Sequence, residues 1–129
     1  MRNKKSEKHK LAENELYNFF FYGTLTDEEF LSRKCNREEN HFKIVNAELR
    51  NYRRTSAITI TKKKGFKVKG KLIYGLDMSD IEILDDYEGC DFENPLSERN
   101  MYIRTEVKII NLEENNKKMK AFVYLFNES

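Results

Sequence analysis

A run of four aromatic residues ends abruptly at a glycine near the start of this chain, and this junction constrains the fold more than any other stretch. Phe19 to Tyr22 are all aromatic, and Gly23 follows them at once. The run is too short to cross a membrane and is typical of a strand that is buried on both faces. Gly23 can adopt backbone angles that other residues avoid, so the chain can turn sharply there and expose its amides.

The polar segment after this turn predicts a helix. Thr26 to Glu29 fits a capping box, in which a threonine and a glutamate satisfy the first amides of a helix. The remaining amide donors at the helix start point back toward the turn. A buried strand that ends in such a loop is therefore a suitable place to hold an anionic group. The plainer interpretation is a strand end and a helix cap that bind nothing.

Short strand-like runs dominate the rest of the chain, and only two helical stretches interrupt them. This series does not suit a regularly alternating α/β sheet and favours an α+β domain of about five or six strands. A turn is expected where three lysines precede a glycine, at residues 62–65. Besides the first strand, the predicted strands are residues 42–52, 56–61, 66–74, 102–110 and 121–126, and the predicted helices are residues 26–34 and 79–88.

Glu88 stands out at the end of the second predicted helix. Ile81 and Leu84 lie on one face of that helix, and the next four-residue step brings Glu88 to the same face. Glu82, Asp85 and Asp86 are instead expected to remain in water. Burial disfavours the charged form of a carboxyl group, so Glu88 would have a raised pKa, which suits acid–base work near neutral pH. The alternative is an ordinary solvated helix glutamate.

Length and charge bound the possible partners. At 129 residues the chain is long enough for one core. Residues 1–15 are polar and basic, and we interpret them as a mobile basic tail before a domain at residues 16–129. The formal net charge is only +2, because 24 Lys and Arg are nearly matched by 22 Asp and Glu. No nucleic-acid partner is expected from such a balance.

Neither the cysteines nor the histidines form a pattern that binds a metal. Cys35 and Cys90 lack metal-ligand spacing, and His9 and His41 have no ligand-like company. No phosphate-binding glycine loop occurs, so we expect no metal and no nucleotide cofactor. The N-terminal residues are not apolar or signal-like, which leads us to expect a cytoplasmic protein with reduced thiols and no membrane contact.

Several motifs occur in a specific order along the chain. They are FFFYGTL at residues 19–25, VKGKLIYGL at 68–76, DIEILDDYEG at 80–89, Tyr102-x-Arg104, and AFVYLF at 121–126. Together they resemble the gamma-glutamylcyclotransferase-like family, in particular its plant avirulence-induced-gene-like branch. The resemblance covers about residues 19–126, and the order and spacing of the motifs are more specific than any single one.

The resemblance implies a barrel-like sheet and a metal-independent enzyme that acts on a small gamma-glutamyl compound. In this family the substrate's α-amine attacks its own γ-carbonyl, closes 5-oxoproline and expels an amine or amino acid. The α-amine arrives as an ammonium whose pKa lies above the working pH, so a base must take its proton. By resemblance the general acid–base is Glu88, and the substrate-binding residues are Tyr22, Gly23, Thr24, Leu25 and Tyr102.

One segment departs from the family pattern. In the plant-like branch an aromatic residue and then x-Arg follow the glutamate within a few residues, whereas here residues 90–101 intervene before Tyr102. Phe92 is an alternative for the family aromatic, and the identity of the released amine stays open. We expect the intervening segment to be a mobile flap with little to anchor it.

Two other function classes compete with the enzyme. A catalytically silent module of the same fold would bind a small ligand, and an RNA-associated protein would use the tail and the lysines of residues 62–71. The presence of both YGTL and Glu88 favours the enzyme over the silent module, and the balanced charge disfavours RNA.

Overall fold

The computed structural model describes residues 11–23 and 27–128. In these ranges five strands and two helices alternate irregularly along the chain. The strand order is β1-β3-β2-β4-β5, and β1 closes the ring by a short parallel pairing with β5, while the other pairings are antiparallel. The elements are β1 (Tyr17–Phe21), α1 (Glu28–Lys34), β2 (Lys43–Arg54), β3 (Ile60–Leu76), α2 (Met78–Tyr87), β4 (Tyr102–Asn111) and β5 (Lys117–Phe126).

This arrangement confirms the predicted α+β class and the mixed, barrel-like sheet. The ring is irregular and not an evenly closed barrel. β1 and β5 are joined through the single pair Phe19 and Phe122, and β2 meets β4 only at Ala47 and Glu48. The long pairings β2–β3 and β4–β5 therefore form two hairpins that are held together at narrow seams.

β1 is the centre of the fold because both of its faces are buried, as predicted. Phe20 belongs to a core cluster formed by the strands, whereas Phe19 and Phe21 belong to a second cluster that includes Leu31 of α1 and Leu84 of α2. The end of β1 is thus fixed from both sides, and the residues that follow it start from a rigid position.

Gly70 allows β3 to lie close against β1. A Cβ atom at this position would come within 2.7 Å of the Phe20 ring and would also meet the backbone carbonyl of Phe21. Any larger side chain there would push the two strands apart.

The hairpin of β2 and β3 differs from the prediction. The turn lies at residues 55–59, where the Thr55 amide donates to the Thr59 carbonyl (3.0 Å). Residues 60–76 then form one strand, so the predicted strand at 56–61 and the turn at 62–65 are wrong. Gly65 instead sits at φ +88° in a bulge and donates to Asn51 Oδ1 (3.2 Å). A glycine after three lysines marks either a turn or a bulge, because both need a positive φ.

Aspartates cap both helices, and not the residues that the sequence suggested. Asp27 is the N-cap of α1, accepting from the Glu29 and Phe30 amides (3.0 and 3.4 Å), whereas the prediction placed the cap at Thr26, outside the described residues. Asp77 caps α2 in a capping box with Asp80, so the helix begins at Met78, one residue before the predicted start at Ser79. A carboxylate suits this position because it also meets the positive end of the helix dipole.

Most of the predicted basic tail, residues 1–10, lies outside the described residues, so its mobility stays a prediction. Leu11, which follows it, is buried in the cluster that contains Phe19. Neither of the two described helices is long and apolar enough to cross a membrane.

Candidate active site

A cavity of about 380 Å³ opens where β1 ends, beside the C-terminal end of α2. The start of β4, the end of β5 and the 55–59 turn complete its wall. Its lining residues are Phe20, Phe21, Tyr22, Gly23, Ile58, Tyr87, Glu88, Tyr102 and Tyr124. The fold therefore brings Tyr22, Gly23, Glu88 and Tyr102 of the sequence-predicted site together, whereas Thr24 and Leu25 lie outside the described residues.

Glu88 is placed by the end of α2. The helix ends at Tyr87, and Glu88 is its C-cap, with its amide donating to the Leu84 carbonyl (2.9 Å). Gly89 then takes a φ of +68°, which turns the chain away from the helix axis. This geometry holds Glu88 one turn below Leu84, half-buried at the cavity wall, although it lies just past the helix and not within it.

Burial sets the protonation of Glu88. Desolvation raises the pKa of its carboxyl group from 4.5 to about 7, because the low-dielectric wall disfavours the charged form. Within the described part of the chain no hydrogen bond or ion pair of the Glu88 carboxylate offsets this cost. The group is therefore near half-ionisation at neutral pH, where it can both accept and return a proton.

Four tyrosines line the cavity with Glu88, and the hydroxyls of three of them donate to protein acceptors. Tyr22 donates to the Tyr124 carbonyl (2.8 Å), and Tyr102 donates to the Ile58 carbonyl (2.8 Å). Tyr124 donates to Asp85 Oδ1 (2.6 Å). Burial raises the pKa of all three phenols, and the Glu88 charge raises the pKa of Tyr22 and Tyr102 further. These two phenols are thus close enough to Glu88 to feel its charge.

Arg54 fastens the end of β1 to the hairpin. Its guanidinium donates to the Tyr22 carbonyl (2.8 Å) and to the Ala57 carbonyl (3.0 Å), and it lies over the Tyr22 ring at 5.5 Å. The chain at Tyr22 is therefore held from the β2 side as well as from β1.

A buried ion pair beneath the cavity was missed by the sequence analysis. Asp85 is fully buried (0% exposed), and so is Arg104 (1%), whose Nε donates to both Asp85 oxygens at 3.1 Å. The expectation that Asp85 stays in water is wrong, because β4 and β5 cover this side of α2 and supply Arg104 and Tyr124 as partners. Burial outweighs both partners and raises the pKa of Asp85 to about 6.

The signal for this ion pair was present in the motifs. The stretch LDDYEG and the stretch Tyr102-x-Arg104 each place an ionisable residue beside an apolar run. Alternation along residues 102–110 alone would put Arg104 on an exposed face of β4, but both faces of β4 are covered at its start. A period-two pattern reports exposure only where one face meets solvent.

The segment of residues 90–101 is anchored, contrary to the expectation of a mobile flap. The Asn100 side chain donates to the Asn94 and Pro95 carbonyls (2.9 and 3.1 Å), and the Asn127 side chain donates to the Glu98 and Asn100 carbonyls (2.8 and 2.9 Å). Side-chain amides replace the apolar contacts that the composition lacks.

The aromatic residue that reaches the cavity from this region is Tyr102. Phe92 packs against the core near Arg104, with 6.0 Å between the guanidinium carbon and the ring centre, and it is not among the described lining residues. Of the two candidates for the family aromatic, Tyr102 is therefore the one among the described lining residues of the cavity.

A metal site is not apparent in residues 11–23 and 27–128. No group of three or more His, Cys, Asp or Glu side chains in these ranges is arranged to hold an ion. Cys35 and Cys90 are both buried free thiols, and burial raises the pKa of each to about 12.

Comparison with known families identifies the family of this chain. A family model described as "Gamma-glutamyl cyclotransferase, AIG2-like" matches residues 19–129. The chain belongs to this cyclotransferase family. The match begins in the middle of β1 and includes every described lining residue of the cavity.

Solved structures share the cyclotransferase-family fold at low sequence identity. An Arabidopsis thaliana protein studied in solution is 24% identical, with a TM-score of 0.70 over 91% of this chain and 72% of its own. A structure titled gamma-glutamyl cyclotransferase is 21% identical, with a TM-score of 0.65 over 87% and 67%. An uncharacterized Homo sapiens protein is 23% identical, with a TM-score of 0.64 over 88% and 68%. No curated protein matched the sequence significantly.

The raised pKa of Glu88 predicts an effect on stability. A carboxyl group whose pKa is higher in the folded state stabilises that state below its unfolded pKa, and this contribution is lost as the pH rises through about 7. Glu88→Gln should therefore increase the free energy of unfolding at pH 8 by about 1–3 kcal/mol and have little effect at pH 4. Denaturant titrations at both pH values measure this, with the exposed Glu82→Gln as control. If Glu88→Gln is no more stable than the wild-type protein at pH 8, burial of the Glu88 carboxylate does not destabilise the folded state.

Proposed function

We propose that this protein is a gamma-glutamyl cyclotransferase that converts a small gamma-glutamyl compound into 5-oxoproline and releases an amine or amino acid. The observation that carries the proposal is Glu88, whose carboxyl group has a pKa of about 7 and lies on the wall of an aromatic cavity that also contains Tyr22 and Gly23. Membership of the cyclotransferase family supports the same reaction.

The chemistry requires proton movement and positioning. The substrate's α-ammonium gives a proton to Glu88, and the resulting amine attacks the γ-carbonyl carbon of the same molecule. The new carbon–nitrogen bond closes a five-membered ring, and the bond to the departing nitrogen breaks. Because both reacting groups belong to one molecule, the protein only has to hold the substrate folded and move protons.

The proton count fits a single acid–base group. The ammonium carries three protons and the lactam nitrogen of 5-oxoproline keeps one, so two protons pass to the departing nitrogen. Glu88 takes the first from the ammonium and returns it to the departing amine, and the second follows the same path. Glu88 ends as a carboxylate when the product leaves as an ammonium, so no external acid or base is consumed.

The turn after β1 is the proposed binding site for the glutamyl group. Its first residues, Tyr22 and Gly23, are at the cavity, and the proposal extends to Thr24 and Leu25 because they complete the YGTL motif. A Cβ atom on Gly23 would meet no described atom within 4 Å. Backbone amides of such a turn suit the α-carboxylate of the substrate.

The test is to incubate the protein with a panel of gamma-glutamyl amino acids, gamma-glutamyl amines and glutathione, and to quantify 5-oxoproline and the released amine. Turnover should give the two products in equal amounts from at least one compound. Binding without turnover would favour the silent module of the same fold, and glutamate in place of 5-oxoproline would indicate hydrolysis. The absence of a nucleic-acid partner and the cytoplasmic location stay predictions.

A further inference from the structure

Apart from the hydroxyl of Tyr87, the polar side-chain atoms of the described lining residues are acceptors toward a ligand. The hydroxyl protons of Tyr22, Tyr102 and Tyr124 are each donated to a carbonyl or carboxylate of the protein. A phenol oxygen that donates its proton keeps lone pairs with which it can accept. The described lining residues include no lysine and no arginine, and their one acidic side chain is Glu88.

Two of these phenols lie close to Glu88. Its charge acts on both Tyr22 and Tyr102, and the Tyr102 charge also acts on Tyr22, so the three groups form one cluster. A carboxylate normally recruits a neighbouring hydroxyl as a donor. Here both hydroxyls donate to backbone carbonyls on other elements, so neither phenol donates its proton to Glu88.

Such a cluster is complementary to a group that has several N–H donors and a positive charge. Phe20, Phe21 and Tyr87 line the same cavity, and aromatic rings can attract cations. A neutral hydroxyl or a carbonyl oxygen of a ligand would interact less favourably with this cluster, because a carbonyl oxygen has no proton to donate to it.

We propose that the hydroxyl oxygens of Tyr22 and Tyr102 and the carboxylate of Glu88 together accept the three N–H bonds of the substrate's α-ammonium. This rests on the proposed function and assigns its recognition step to named side chains. The backbone acceptors, the Tyr124 carbonyl and the Ile58 carbonyl, fix the rotation of each hydroxyl before the substrate arrives. The ammonium is then selected by matching donors to acceptors that are already in place.

The same arrangement distinguishes substrate from product and from blocked compounds. The lactam nitrogen of 5-oxoproline carries no charge and a single N–H, so it can satisfy one acceptor of the three. A gamma-glutamyl compound whose α-amine is acylated is likewise neutral with one N–H, and we expect it to bind weakly. Ring closure therefore weakens the contact that held the substrate.

Two ligands of almost equal size isolate the ammonium contact. L-glutamine carries the α-ammonium, and glutaramate is the same molecule without the α-amine. The measurement is isothermal titration at pH 8, where Glu88 is ionised. The wild-type protein should bind L-glutamine at least about tenfold more tightly than glutaramate, because hydrogen bonds that involve a charged group are stronger than those between neutral groups. Equal affinities for the two ligands would overturn the proposal without reference to any variant.

The variants Tyr22→Phe and Tyr102→Phe remove one acceptor each and keep the rings. Each variant should bind L-glutamine about tenfold more weakly and should bind glutaramate with nearly unchanged affinity. A purely structural role of these hydroxyls would weaken both ligands alike and would contradict the proposal. Tyr74→Phe is the matched control, because the Tyr74 hydroxyl is bonded to Asn111 and Met119 outside the cavity lining. Since these are binding measurements, the result is separate from whether the panel yields 5-oxoproline.

Discussion

Glu88→Gln is expected to lower the turnover rate of the cyclisation by about 10²- to 10⁴-fold, the usual effect of removing a positioned proton-transfer group. Glutamine keeps the size of the side chain but cannot accept the ammonium proton. The variant should fold, because Glu88 stabilises α2 through its backbone amide and not through its side chain. Initial rates of product formation at saturating substrate measure the effect.

Glu82→Gln is the control for this variant, since Glu82 lies on the exposed face of the same helix. It should retain wild-type turnover. If a well-folded Glu88→Gln protein also turns over at the wild-type rate, Glu88 is an ordinary cap residue and another group must move the proton.

Arg104→Met is expected to cost about 3–5 kcal/mol in the free energy of unfolding, the largest effect on stability that we predict. The substitution leaves the Asp85 carboxylate fully buried, with Tyr124 as its remaining hydrogen-bond donor. The cost should be smaller at pH 4, where a carboxyl group with a pKa of about 6 is already neutral. Denaturant titrations at pH 4 and pH 8 measure both values.

The double variant Asp85→Leu/Arg104→Met separates the ion pair from the packing around it. Replacing both partners removes the uncompensated charge, so the double variant should recover much of the stability lost in Arg104→Met. Lys117→Met is the control, because its pair with Glu114 is exposed and should contribute little. A double variant as unstable as the single one would show that the volume of Arg104, and not its charge, is what the fold requires.

The sequence was informative where burial follows a simple pattern. The aromatic run of β1 has to be buried on both faces because no polar residue interrupts it, and it forms the shared wall of two core clusters. Helical spacing likewise placed Glu88 near Leu84, although Glu88 is the cap of α2 and not part of its last turn. The family motifs then supplied the ring closure and the neighbourhood of Tyr22 and Glu88, which periodicity cannot provide.

The sequence failed where tertiary contacts reverse a local preference. The sequence predicts that Asp85 is a solvated helix residue. In the fold, β4 packs against this side of α2, and Arg104 forms an ion pair with Asp85. The lysines at residues 62–64 predict a turn, but β3 pairs with β2 on both sides of Gly65, and Gly65 lies in a bulge of this pairing. In both cases a long-range partner determines the outcome, and local propensity does not contain that information.

The most direct test of the account is the pH dependence of kcat/KM for the cyclisation catalysed by the wild-type protein. Glu88 must be ionised to accept the ammonium proton, so kcat/KM should fall about tenfold per pH unit on the acid side, with an apparent pKa of about 7. This limb should be absent from the residual activity of Glu88→Gln. A rate that stays constant from about pH 5 to 8, or an acid limb that the variant shares, would contradict the assignment of Glu88 as the acid–base group.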